Sequence, residues 1–222
     1  MSTHDESEQE RVVQALGDAD SSVRLKAALQ AGTYPAPDYL VPLVERCAVE
    51  PDFFVRDMLT WALIQQDHAQ VIARLVPELD SDVPQARAQA LHTLSKIGDT
   101  SVWPAITEDL LTDTDDDVAR AAWRAAAALV PPGDEAALAT ILGTQWGRGD
   151  RDVRLSLSQA LASLGDAAIP VVERGSASDD EEVRWHALAT RRIIDNPDLA
   201  YDSALEEAKR VHTLRGAPLI PE

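Results

Sequence analysis

Apolar residues recur along this chain at the spacing of an α-helix. Between Asp150 and Asp166 they stand 0, 4, 7, 8 and 11 positions after Val153, which puts them on one face of a helix with about 3.6 residues per turn. Asp150 suits the N-cap of such a helix, and Gly165 suits the position just after its end. The pattern predicts an amphipathic helix that buries one apolar stripe.

The same pattern occurs six times, and a weaker helical pattern precedes each copy. The positions equivalent to Val153 are Val23, Val55, Ala86, Val118, Val153 and Val183, at spacings of 30 to 35 residues. A period of this size is typical of stacked helical hairpins. We therefore predict one domain over residues 1–222, with repeats over about 7–32, 36–65, 67–98, 99–130, 134–165 and 166–195 and a capping helix over 198–215. No long alternating stretch predicts a strand, so the fold class is all-α.

Charge and composition limit the functions to consider. The chain has 20 Lys and Arg against 38 Asp and Glu, a net charge of −18, which disfavours nucleic acid as a partner. Cys47 is the only cysteine, and no apolar stretch is long enough to span a membrane. The first ten residues carry acids rather than a basic signal sequence. We expect an acidic, cytoplasmic monomer without membrane contact.

Two further features repeat with the apolar pattern. An Asp-x-x-Val-Arg motif and a terminal Gly-Asp recur, and Pro42, Pro104 and Pro170 stand thirteen or fourteen residues before an anchor. From about Ser7 to Asp195 the chain therefore resembles bacterial HEAT-like repeats of the type found in phycobilisome lyases. The resemblance implies an armadillo-like helical fold, a right-handed α-solenoid of about six hairpins with the Val-Arg helices on its concave face. It also implies scaffolding by protein binding as the commonest role.

Some proteins with such repeats are enzymes, including bilin lyases, a di-iron deoxyhypusine hydroxylase and alkylpurine DNA glycosylases. The five His residues are scattered, and the His-Glu dipeptide that the hydroxylase would require is absent. Trp123-Arg124 and Arg184-Trp185 offer the aromatic and cationic groups that a glycosylase needs, but the acid excess opposes DNA. We expect no catalytic residue, no metal and no cofactor.

The most frequent polar pair is an Asp three residues before the anchor and an Arg one residue after it. A spacing of four puts both on one helical face, so we predict a structural ladder in which Asp caps its helix and contacts Arg, while Arg reaches the next repeat. The members are Asp20, Arg24, Asp52, Arg56, Asp150, Arg154, Asp180 and Arg184. Repeat three (Asp82, Arg87) and repeat four (Asp115, Arg120) depart from the spacing, which predicts different packing there.

Large side chains also occupy positions that the repeat does not use for packing. The predicted partner-binding residues on the concave face are Leu25, Phe53, Phe54, Met58, Trp61, Trp185 and His186. The middle repeats carry polar or small residues there: Gln85, Gln89, His92, Asp116, Asp117 and Arg120. An exposed apolar patch is typical of a binding site. The alternative, in which Phe53 and Trp61 fold back into the core, remains open.

These observations favour a non-enzymatic scaffold that binds a protein or peptide in its concave groove. The acidic middle of the chain would favour a basic segment in that partner. The alternative is an enzyme or enzyme accessory of the HEAT-like class, similar to a bilin lyase or an alkylpurine DNA glycosylase.

Overall fold

The computed structural model describes residues 3–196 and 201–215, and within these ranges it consists of α-helices, short 3₁₀ helices and connecting loops, with no strand. The predicted all-α fold is therefore confirmed. The chain divides into two compact units, residues 1–125 and residues 126–222. The interpretation of residues 1–222 as a single domain stays a prediction.

The first unit is built from antiparallel helical pairs. Its helices are α1 (Thr3–Ala15), α2 (Ser21–Thr33), α3 (Leu40–Val49), α4 (Phe53–Ile64), α5 (His68–Leu75), α6 (Pro84–Ile97), α7 (Glu108–Leu111) and the first part of α8 (Asp116–Leu129). Within a pair, α1 packs on α2 and α3 on α4, and between pairs α2 packs on α4 and α4 on α6. The second helices of successive hairpins therefore lie side by side, as the repeated apolar stripe predicts.

The second unit follows the same scheme. Its helices after α8 are α9 (Glu135–Leu142), α10 (Arg151–Ser163), α11 (Ile169–Ser176), α12 (Glu181–Asp195) and α13 (Tyr201–Arg215). Here α12 packs on α10, α11 and α13. Ile193 and Tyr201 form a small core cluster with Ala189 and Ala204. Helix α13 lies within the range of the predicted capping helix, of which residues 198–200 lie outside the described residues. Its role as a cap stays a prediction.

Several first helices of the pairs are shorter than the sequence pattern predicts. In repeat four, residues Thr100–Ala105 form a 3₁₀ helix that contains Pro104, and only Glu108–Leu111 is α-helical. Residues Val76–Asp80 and Gly165–Ala168 are also 3₁₀ helices. Proline lacks the N–H that an α-helix interior needs, so Pro104 limits the first helix of repeat four to short turns.

The core has the composition expected for close-packed helices. Ala90, Leu157 and Ala187 occupy the same repeat position, and all three are buried. This confirms that the repeats are in register. Cys47 is also buried, and burial followed by the charge of Glu50 raises the pKa of its thiol to about 12. It packs as a small apolar residue.

The predicted caps form, but the Asp and Arg of each repeat do not pair with each other. Asp52 accepts hydrogen bonds from the amides of Phe54 and Val55, and Asp20, Asp150 and Asp180 cap their helices in the same way. The Arg side chains turn back instead to carbonyl groups five to seven residues earlier: Arg24, Arg56, Arg154 and Arg184 each bind at least one of them.

Some of these arginines also reach an acid of the following repeat. Arg24 binds Glu50, and Arg154 binds Glu182. Arg87, in a repeat predicted to depart from the pattern, does the same with Asp113 and also donates to the carbonyl of Ser81. The expectation of different packing at Arg87 was therefore wrong, because the motif needs the arginine and not the aspartate before it.

Candidate functional site

A groove in the first unit is lined by α4, α6, the start of α8 and the loop before it, and is called the α4–α6–α8 groove below. Its volume is about 620 Å³. The lining residues are Phe53, Arg56, Asp57, Thr60, Pro84, Gln85, Ala88, Gln89, His92, Asp115, Asp117, Arg120, Ala121 and Arg124. Pockets of roughly 300–1,000 Å³ are typical of small-molecule sites. The size of this groove therefore suits a small organic molecule.

Two arginines of α8 line the groove four residues apart on one helical face. Among the described residues, Arg124 makes no hydrogen bond or ion pair. Burial, followed by the positive charge of Arg120, lowers the pKa of the Arg124 guanidinium. Arg120 lies 3.7 Å from a carboxylate oxygen of Asp117, and its Nε is buried without a hydrogen-bond partner. The groove thus holds two neighbouring cations without a close two-point ion pair, and the carboxylates of Asp57, Asp115 and Asp117 line it as well, with Asp117 acting on both arginines.

Thr60 and His92 lie further along the groove. Thr60 is 3% exposed, and its Oγ1 is buried without a hydrogen-bond partner among the described residues. This is unusual, because a Thr hydroxyl inside a helix commonly bonds to a carbonyl of the preceding turn. Burial, then Arg124 and Lys96, lowers the pKa of His92, while Asp57 opposes the shift. His92 is therefore neutral at pH 7, and its ring can both donate and accept a hydrogen bond.

The structure separates the residues predicted to bind a partner. Phe53 and Phe54 are exposed, at 65% and 72%, and their rings contact each other edge to face. Leu25 and Met58 are half-buried. Trp61 is also half-buried, and its ring lies directly over Gly32 of α2. Of the residues predicted here, only Phe53 lines the α4–α6–α8 groove.

The two predicted residues of the second unit differ from each other. Trp185 is half-buried, donates to Glu181 and carries the Arg184 guanidinium 5.6 Å from its ring centre. His186 is 1% exposed and does not lie on a surface. Its Nδ1 accepts from the amide of Gly147, so its Nε2 carries the proton and lies 2.9 Å from the carbonyl oxygen of Arg154. His186 is a buried structural residue, which the pattern could not reveal because its hydrogen-bond partners lie in other helices and loops.

Thr60 and the α8 arginines were absent from the predicted binding set. One signal for Arg120 was present, since it stands two residues after its anchor instead of one. A shift of one residue rotates a side chain by about 100° around the helix, but Arg56 keeps the usual offset and also lines the groove, so the shift alone does not place Arg120 there. Trp123, considered for a DNA glycosylase site, is fully buried and donates to the carbonyl of Leu111.

Within residues 3–196 and 201–215, no group of three or more His, Cys, Asp or Glu side chains could hold a metal ion. In the same part of the chain, no helix is long and apolar enough to cross a membrane.

Comparisons with known proteins concern the fold. The family model described as HEAT repeats matches residues 55–128, which include most of the groove. Comparison with curated proteins gives no match. Among solved structures, the chain is similar to human deoxyhypusine hydroxylase in complex with glycerol, with 18% identity and a TM-score of 0.47, covering 94% of this chain and 97% of that one.

This similarity corrects one expectation from the sequence. The hydroxylase is an enzyme. The interpretation as a non-enzymatic scaffold for a protein or peptide rested on the commonest role of such repeats. It was wrong to set enzymes aside. An identity of 18% transfers no activity to this chain. The family model therefore indicates HEAT repeats for residues 55–128 of this chain, and the helical pairs of the described residues agree with that match.

Proposed function

We propose that the α4–α6–α8 groove binds a small organic molecule. The observation that carries this proposal is that two lining residues, Thr60 and Arg120, each hold a buried polar atom, Oγ1 and Nε, that has no hydrogen-bond partner among the described residues. Leaving such an atom unsatisfied costs roughly 1–3 kcal/mol. A ligand recovers that cost when these side chains turn towards it, because both atoms are shielded from solvent.

The shape of the groove supports the same proposal. Its volume of about 620 Å³ lies within the usual range for small-molecule sites. The lining combines an apolar wall at Phe53 and Pro84 with polar groups from α4, α6 and α8. Sites of this kind, where a few polar groups converge beside an apolar surface, orient a bound molecule.

A groove-filling variant tests the proposal. Gln89 is half-buried in the groove, so Gln89→Trp places an indole in the space that the ligand would occupy. Gln70→Trp makes the same change at an exposed site on α5 outside the groove. A small-molecule library is screened by ligand-observed NMR against the wild type and both variants. We expect hits that bind the wild type and Gln70→Trp but not Gln89→Trp. A screen without hits, or hits that bind all three proteins equally, contradicts the proposal.

A second candidate function, chemical conversion of the bound molecule, is favoured by His92. A neutral imidazole in a groove can take up a proton from a ligand, although burial and the charges of Arg124 and Lys96 disfavour the resulting imidazolium more than Asp57 favours it. The groove hits are therefore followed by NMR over time with the wild type and with His92→Asn. A product that forms only with the wild type supports catalysis. Hits that stay unchanged leave ligand binding as the function of the groove.

A further inference from the structure

Arginines elsewhere in the repeats are neutralised by the fold. Arg24 binds Glu50 and Arg87 binds Asp113, each through two guanidinium nitrogens, and Arg56 donates to two backbone carbonyls. Arg120 and Arg124 differ from these residues. Arg120 has a single acid at 3.7 Å, and the Asp117 side chain that provides it is 84% exposed. Arg124 has no hydrogen-bond or ion-pair partner among the described residues.

Two partly neutralised cations side by side repel each other, so an anion between them would be stabilised. A guanidinium can bind a carboxylate or a phosphate through two parallel hydrogen bonds. Thr60 Oγ1 adds a buried hydroxyl donor that has no other described partner, and the neutral ring of His92 offers another donor. These groups are what an oxyanion needs, namely charge and several directed donors.

The residues at the other end of the groove indicate the chemistry of the rest of the ligand. Phe53 and Pro84 stand at the starts of α4 and α6, whereas Thr60 and His92 lie seven and eight residues further along the same helices. At about 1.5 Å per residue, the apolar end and the polar end are about 10–12 Å apart. Phe53 is 65% exposed, with the Arg56 guanidinium 6.0 Å from its ring centre. An aromatic body can stack on an exposed ring of this kind.

We propose that the ligand of the α4–α6–α8 groove is an aromatic oxyanion, a carboxylate or a phosphate monoester, with its anionic head at Arg120, Arg124 and Thr60 and its apolar body against Phe53. This inference rests on the proposed function, since it names the chemistry of the molecule that the groove binds.

Four probes with one apolar body test the head group. Biphenyl carboxylate, biphenyl phosphate, biphenyl carboxamide and biphenyl methylamine are titrated by calorimetry at low salt. We expect the two anions to bind at least about tenfold more tightly than the amide and the amine, because charge-assisted hydrogen bonds are the stronger ones. Whichever anion binds more tightly identifies the natural head group as a carboxylate or a phosphate.

Variants of the groove assign the contacts. Arg124→Gln is expected to weaken the anions about tenfold and to leave the carboxamide unchanged. Thr60→Val removes the hydroxyl at nearly constant volume and should also weaken only the anions. Arg191→Gln removes an exposed arginine of α12 that binds Asp195 in the second unit, and serves as the matched control without effect. Melting curves of the variants establish that each is folded at the titration temperature.

The outcomes separate this inference from the proposed function. If the carboxamide binds as tightly as the carboxylate and Gln89→Trp abolishes both, the groove binds small molecules but the oxyanion assignment is wrong. If Gln89→Trp leaves every probe bound, both proposals fail. A duplex oligonucleotide that binds in the micromolar range and displaces the anions would also overturn the inference, because the arginines would then belong to a nucleic-acid surface.

Discussion

Arg24 and Glu50 form a two-point ion pair inside the first unit. Arg24 Nε lies 2.7 Å from Glu50 Oε2, Arg24 Nη2 lies 2.7 Å from Glu50 Oε1, and the Glu50 side chain is completely buried. Glu50 also accepts from Arg46 and from the amide of Asp52. Burial alone would raise the pKa of this carboxyl, but these partners together lower it to about 2. Through these bonds, Glu50 connects the end of α3 to Arg24 in α2 and to the amide of Asp52 at the start of α4.

Removing Arg24 should destabilise the first unit strongly. Arg24→Ala leaves the Glu50 carboxylate buried with fewer partners, and breaking a buried pair in this way typically costs about 3–5 kcal/mol. The free energy of unfolding is measured by urea denaturation. Arg151→Ala, which breaks the exposed pair with Asp202, is the control and should cost about 1 kcal/mol or less. Equal losses for the two variants would contradict the structural role of Arg24.

Glu50 also predicts that the free energy of unfolding falls at acid pH. Its pKa is lower in the folded chain than in the unfolded chain, so its contribution is present above about pH 4.5 and is lost as the pH falls towards about 2. Glu50→Gln should flatten the fall of the unfolding free energy in this window, at the cost of a lower free energy near pH 7. Circular dichroism during urea titrations at several pH values measures both effects. If the unfolding free energy of the variant falls at acid pH as steeply as that of the wild type, other carboxyls cause the fall.

His186 should give a separate pH dependence at higher pH. Burial, followed by the charge of Arg154, lowers its pKa to about 4, and the carbonyl of Arg154 only partly offsets this. The unfolded chain therefore takes up a proton more readily between about pH 6.5 and pH 4. Stability from this residue is complete above about pH 6.5 and falls by on the order of 2–3 kcal/mol as the pH approaches 4. His186→Gln should lose this slope, whereas His68→Gln, at an exposed residue, should keep it.

The contact between Gly32 and Trp61 predicts a size limit on α2. A Cβ at Gly32 would lie 2.3 Å from Trp61 Cζ3 and 2.9 Å from the Ala62 Cα, so one of these groups must move. Gly32→Ala should therefore destabilise by about 1–3 kcal/mol, the usual cost of overpacking. A Cβ at Gly17 meets no atom closer than 3.5 Å, which makes Gly17→Ala the matched control. Equal thermal stability of the two variants would show that Trp61 is not held against α2.

The Cys47 thiol should be unreactive in the folded protein. Its thiol is buried, and its pKa is raised to about 12, so little thiolate exists at neutral pH. A thiol reagent should label the chain at a rate that follows unfolding, with full labelling in denaturant. Fast labelling of the folded protein would place Cys47 at an accessible surface instead.

The sequence predicted the helices well where one local signal was sufficient. The Asp caps at Asp20, Asp52, Asp150 and Asp180 form because a carboxylate next to a helix start needs only the amides of its own first turn. The acid that each arginine binds could not be predicted in the same way. Glu50 lies 26 residues beyond Arg24 and outside the repeated motif, so only packing reveals the pair.

The candidate site was less predictable than the fold. Phe53 and Trp61 both looked unused by the packing pattern, yet Phe53 is exposed and Trp61 packs on Gly32. The difference depends on the size of a residue in a neighbouring helix, which periodicity does not report. Likewise, Thr60 fits a core position by its burial, and only the missing partner of its hydroxyl marks it as part of the groove.

The links between arginines and acids also bear on how the chain folds. Arg24 and Glu50 are 26 residues apart, as are Arg87 and Asp113, and Arg154 and Glu182 are 28 apart. Closing loops of this length costs little chain entropy compared with pairing distant strands, and chains rich in such contacts fold quickly. Each link needs only the next hairpin of the nascent chain to have left the ribosome. Assembly can therefore follow synthesis, one hairpin after another, without waiting for the C-terminal half.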